Sequence, residues 1–122
     1  MRLQNKIAII TGAASGIGAE IARRFGQEGA KVVIADLNIE GATQLAGELG
    51  EGCMARKHDV SDEASWKALI TETLAAHSRL DVLVNCAGIM IPGDIETTSF
   101  ELFNSIMSVN LGGVFLGCQN AV

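Results

Sequence analysis

The residues Thr11-Gly12-Ala13-Ala14-Ser15-Gly16-Ile17-Gly18 have the types and spacing to hold an anion. They follow a short apolar run, Ile7 to Ile10, and precede a stretch with helical periodicity, Ile17 to Gly29. A glycine-rich turn between a strand and a helix leaves backbone N–H groups free at the helix N-terminus, where the helix dipole favours negative charge. In this reading Gly12 permits the tight turn, Gly16 brings backbone close to a ligand, and Gly18 allows close approach to the sheet or to a pyrophosphate. Ser15 and Ile17 complete the loop. No Lys-Ser or Lys-Thr pair follows, so this is not a Walker loop.

Asp36 closes the next apolar run, Val32 to Ala35. A carboxylate there can accept both hydroxyls of an adenosine ribose and repels a 2'-phosphate. The next residue, Leu37, supplies no positive charge. The cofactor these residues favour is NAD over NADP. Asp59 and Val60 follow a third, weaker run, Cys53 to Lys57. Asp59 could accept from an adenine amino group while the Val60 backbone meets the ring; alternatively Asp59 is a loop residue capping the next helix. Asn85, Ala87 and Gly88 close the fourth run, Val82 to Val84, where small residues let the chain pass a cofactor and the Asn85 amide can tie neighbouring backbones.

The elements that position these residues alternate strand and helix. Ile17, Ile21, Ala22 and Phe25 form the first helical face, and Gly29 ends that helix. Asn38 or Ile39 begins a second helix buried at Ala42, Leu45, Ala46 and Leu49. Ser61 or Asp62 caps a third, buried at Trp66, Leu69, Ile70, Thr73 and Leu74. Thr98 with Glu101 reads as a capping box before an apolar stripe of Phe100, Phe103, Ile106 and Met107. A last helix begins near Asn110 and runs to Val122. The expected fold is α/β: a Rossmann-like, doubly wound parallel sheet whose first four strands and flanking helices form one domain over residues 1–122.

Composition narrows the function classes. The chain has 122 residues, 48% of them apolar, and a net charge of -5, which disfavours nucleic acid and membrane surfaces as partners. No apolar run is long enough to span a bilayer, and the first residues lack a signal-peptide pattern. Three cysteines without ligand spacing read as reduced, mostly buried thiols of a cytoplasmic protein. His58 and His77 form no metal pattern; they read as a loop histidine beside Asp59 and a helix-end histidine.

Together, Thr11-Gly12-x-x-x-Gly16-Ile17-Gly18, Asp36, Asp59, Asn85-x-Ala87-Gly88 and Val109-Asn110 resemble the short-chain dehydrogenase/reductase family. Cys86 departs from that pattern, which usually repeats Asn. The resemblance implies hydride transfer between nicotinamide and an alcohol or carbonyl carbon of a small molecule. It implies that Asn110 is the catalytic asparagine, which holds a helix distortion. It implies a larger sheet, a homo-oligomer formed through the last helix, and a catalytic Ser and Tyr-x-x-x-Lys. The chain contains no tyrosine, so the expectation is a cofactor-binding half that is inactive alone. The alternative is a catalytically silent nucleotide-binding or interaction module.

Overall fold

A computed structural model describes all residues, 1–122. Four strands, β1 (Ile7–Thr11), β2 (Lys31–Asp36), β3 (Met54–Lys57) and β4 (Val82–Val84), form one sheet in the order β3-β2-β1-β4. All pairs are parallel. The helices between them are α1 (Gly16–Gln27), α2 (Ile39–Leu49) and α3 (Glu63–His77); α4 (Phe100–Met107) and α5 (Gly113–Ala121) follow β4. β1 is central, with Ile9 opposite Val33 on one side and Leu83 on the other. All five of its residues are buried, as a strand covered on both faces requires.

Side chains alternate across the sheet and build a core on each face. Ile10, Val32 and Ile34 meet Ala19 and Ala22 of α1 and Ala42 and Leu45 of α2. Ile9, Val33 and Ala35 meet Trp66 and Leu69 of α3 on the other side, with Leu116 of α5 packed against them. Asn38 caps α2 by accepting from Gly41 N at 3.1 Å, and Asp62 caps α3 by accepting from Ala64 N at 3.0 Å. Chain order reverses between β1 and β4, so a crevice opens at the C-terminal ends of these strands.

Several expected packing faces are displaced. Ile17 is 76% exposed, and α1 is buried instead at Gly18, Ala19 and Ala22; the small size of the two alanines lets the helix sit close to the sheet. Ile21 and Phe25 are half-buried against that core. Glu28 is the C-cap of α1, and Gly29 follows it at φ +93°. Leu74 turns outward, one position past the buried Thr73. Ser99, not Thr98, caps α4, its Oγ accepting from Leu102 N at 3.0 Å. Phe100, Phe103 and Met107 of the expected stripe lie on α4 and are exposed, and the two Phe rings stack on each other at 5.9 Å. None of the three free cysteines is buried: Cys53 and Cys86 are half-buried and Cys118 is exposed. No helix is long and apolar enough to cross a membrane.

The two expected last helices are one continuous run. A π-helical turn, Ser108–Gly112, joins α4 to α5 without leaving right-handed helical backbone. The run does not restart at Asn110; Asn110 lies inside this turn.

α5 packs through Gly113, against Val60, and Gly117, against Trp66 of α3; both are buried. A methyl group on Gly117 would stand 2.8 Å from Trp66 Cη2 and 2.6 Å from Asn85 Oδ1. The indole cannot yield, because Trp66 is fully buried and its Nε1 donates to Val60 O at 2.8 Å. Gly117→Ala gains about 1 kcal/mol of helix propensity. Overpacking costs about 1–3 kcal/mol, so the clash wins. The expected outcome is a net loss of about 1 kcal/mol, read as a lower urea midpoint with unchanged slope.

Candidate functional site

The Thr11 hydroxyl, 1% exposed at the end of β1, joins the ends of β1 and β4. Its Oγ1 accepts from Cys86 N and Ala87 N, each at 3.1 Å, and donates to Val84 O at 3.4 Å. The chain leaving β4 is thereby held against β1. Gly12 N donates to Ala35 O at 2.8 Å and adds β2 to the junction. Gly12 has φ +64°, and a Cβ there would meet Ala87 Cα at 2.7 Å, so both conformation and space demand glycine. Gly18 does not meet the sheet. It packs on the loop itself, where a Cβ would collide with Gly12 O.

The start of α1 presents unpaired donors. The N–H groups of Gly16, Ile17 and Gly18 have no acceptor in the protein, Ser15 makes no side-chain cap, and no acidic residue lies in the first turn. This is the donor set that an anion at a helix N-terminus uses.

Carboxylates stand opposite. Asp36 Oδ2 accepts from Ala14 N of the glycine loop at 3.0 Å, and Oδ1 accepts from Asn38 N at 2.9 Å. The group is fixed, and each oxygen keeps a lone pair for a further donor. Leu37 beside it is 63% exposed. Asp59 Oδ1 accepts from both Ser61 N (2.9 Å) and Ser61 Oγ (2.7 Å). Those two bonds hold the Asp59 carboxyl below the usual carboxylate range. Asp59 is not the cap of α3; Asp62 is.

A cleft of about 300 Å³ collects most of the residues singled out in the sequence: Gly12, Ser15, Asp36, Leu37, Asp59, Val60, Ala87 and Gly88. Gly16 and Ile17 lie instead beside an adjoining surface hollow with Ala14 and Ser15. Asn85 does not line the cleft and ties no backbone. Its Nδ2 points to Cys118 Sγ at 3.7 Å, because the residue faces α5 across β4. Four lining residues were not expected: His58, Cys86, Ile89 and Val109. His58 and Cys86 adjoin predicted residues at strand ends, a signal that was available. Val109 comes from the helical run and adjoins Asn110, with which it was paired in the sequence motif. His58 is in the loop after β3 beside Asp59, as expected, and is 3% exposed.

Asn110 fastens the loop after β4 from behind. Its Oδ1 accepts from Ile89 N at 2.8 Å and its Nδ2 donates to Ile89 O at 2.7 Å. One amide thus satisfies both polar groups of one loop residue from within the π-helical turn.

The Thr11 junction is testable. Thr11→Val keeps the volume and removes the acceptor of two amides. It should destabilise the fold by about 1–3 kcal/mol. Hydrogen exchange at Cys86 and Ala87 should accelerate by more than at β2 amides, whereas a uniform change would exclude a local role.

A family model described as short chain dehydrogenase matches residues 6–122. A 3-beta-hydroxysteroid dehydrogenase of Comamonas testosteroni is 46% identical over 121 residues, 99% of this chain and 48% of that protein. An NADP-dependent (R)-specific alcohol dehydrogenase of Lentilactobacillus kefiri is 42% identical over 120 residues, 97% of this chain and 48% of that protein. The crystal structure of a 3-ketoacyl-(acyl-carrier-protein) reductase from Brucella melitensis complexed with NADH matches with a TM-score of 0.94 at 41% identity, covering 98% of this chain and 50% of that one. The chain spans about half the length of these relatives. With its glycine loop, strand order and nearly its whole length matched, the chain belongs to the short-chain dehydrogenase family.

Proposed function

We propose that the chain is the NAD-binding part of an oxidoreductase that moves a hydride between nicotinamide and an alcohol or carbonyl carbon of a small molecule. The observation that carries this reading is the pairing of free N–H groups at the start of α1 with the fixed Asp36 carboxylate at the mouth of the same crevice. Donors stand where a pyrophosphate needs them, and an acceptor stands where ribose hydroxyls need one. When bound, the nicotinamide supplies the hydride acceptor or donor.

The preference for NAD rests on Asp36 and Leu37. A 2'-phosphate would lie against a carboxylate that Ala14 N and Asn38 N hold in place, with no cation at Leu37. Relatives divide on this point, one being NADP-dependent by name and another solved with NADH, so the residues here must decide it. Asp59 and Val60 are assigned to the adenine, and Gly12, Ser15, Gly16, Ile17 and Gly18 to the pyrophosphate turn. Ala87 and Gly88 are assigned to the nicotinamide side, with Asn110 positioning their loop through Ile89. The proton at the substrate oxygen is assigned to a Tyr-x-x-x-Lys segment outside these residues, since the chain has no tyrosine. The exposed Phe100, Phe103, Met107, Leu111 and Phe115 support burial of the last helix against further elements of the fold or a second copy.

Binding titrations of NADH and NADPH on the protein as its gene encodes it test the reading. The unmutated protein should prefer NADH. Asp36→Ser should weaken NADH by about tenfold and strengthen NADPH, a difference worth about 1.4 kcal/mol for each factor of ten. Equal affinity for the two dinucleotides before and after the substitution would remove Asp36 from the site.

A further inference from the structure

We propose that His58 is a positioning residue for the adenine end of this site, acting through Ser65 on Asp59. The inference rests on the NAD-binding reading above and adds a residue pair to it. His58 Nδ1 lies 2.7 Å from Ser65 Oγ, and Ser65 Oγ accepts from Asp59 N at 3.1 Å. With the Asp59 amide donating to Oγ, the hydroxyl is free to donate to Nδ1 of a ring whose proton is on Nε2, and we assign that tautomer. That chain requires a neutral ring. Burial lowers the His58 pKa, and outweighs the Asp59 and Asp62 carboxylates, which act to raise it.

The ring has no freedom to swing. It is 3% exposed and stands edge-on to Trp66 with centroids 4.3 Å apart. Its own backbone N–H donates to Asp36 O at 3.0 Å. His58 therefore couples the two carboxylate-bearing strand ends: Asp36 through its backbone and Asp59 through its side chain.

Fold stability does not account for a histidine here. Nε2 is buried without a partner, and an apolar side chain of similar size would avoid that unpaired group. What a hydrocarbon cannot do is accept the Ser65 proton. Losing that bond frees the hydroxyl to rotate and loosens the Asp59 backbone, whose carboxylate is then less well aimed at the amino group that distinguishes adenine from hypoxanthine.

The test compares Kd values for NAD and for its hypoxanthine analogue, using protein from the complete gene. His58→Leu and Ser65→Ala should each reduce the preference for NAD by about fivefold, the scale of one hydrogen bond. The double variant should lose no more than either single one. His58→Asn, whose Oδ1 can replace Nδ1 as acceptor, should keep the preference. A change in thermal midpoint alone leaves this ratio unmoved. An unchanged ratio in His58→Leu, or losses that multiply in the double variant, would overturn the proposal while NAD binding stands. If His58→Leu does not fold, Ser65→Ala reads the same bond from the other side, and an unchanged ratio there overturns it equally. Failure of the unmutated protein to bind NAD would overturn the functional reading and this proposal together.

Discussion

One buried hydroxyl sets the geometry on which the crevice depends. A parallel sheet whose strand order reverses must part its loops at the reversal, because the chain leaving β1 turns one way and the chain leaving β4 the other. Nothing in the sheet ladder itself controls how far they part, since pairing between β1 and β4 ends at Ile10 and Val84. Thr11 closes that gap in control. Its single oxygen bonds to Val84, Cys86 and Ala87, so the β4 loop is held at a fixed distance from the glycine turn. The absence of a side chain on Gly12 is the complementary constraint, because the two backbones pass where a methyl group would collide with Ala87. Attraction at Thr11 and permitted approach at Gly12 define the floor of the cleft.

Charge is then divided along the crevice. Unpaired N–H groups lie at the start of α1, and carboxylates lie at the ends of β2 and beyond β3. Asp36 and Asp59 are both immobilised by backbone donors or a neighbouring serine rather than by cations. A carboxylate neutralised by a lysine would offer little to a ribose hydroxyl or a base amino group. One held by neutral N–H and O–H donors carries no competing countercharge and keeps acceptor capacity. The absence of an ion pair at either carboxylate is therefore a condition for a polar ligand to be read there.

Much of this was legible from residue order. The run Val82 to Val84 is β4 to the residue, and Asp36, Asn38 and Asp62 sit at the element ends where their side chains are useful. Strand ends are readable because apolar runs stop where burial stops, and binding residues gather where strands end. Side-chain direction was less legible. Asn85 and Cys86 are adjacent, yet one faces α5 and the other the cleft, and only the register of β4 against β1 decides which. The helix after β4 shows a related limit. Its apolar residues have helical spacing, but the side they form is not covered by any of the four strands. Periodicity reports that a face exists and not what lies against it. The π-helical turn left no trace in periodicity; the one signal for it was the Val109-Asn110 pair, whose family resemblance implies a helix distortion at Asn110.

That turn explains why a single asparagine can serve the site. A π turn accommodates one extra residue in the helical run and shifts the residues after it around the axis. Gly113 and Gly117 consequently face Val60, Trp66 and Asn85, while Asn110, a turn earlier, reaches the loop after β4. In a regular helix these two requirements compete, because residues three, four and seven apart share one face. The distortion separates them: small residues pack inward against α3, and the amide projects toward Ile89. Packing of α5 and placement of the cleft's Ala87–Ile89 wall are thus consequences of the same local change in helical pitch.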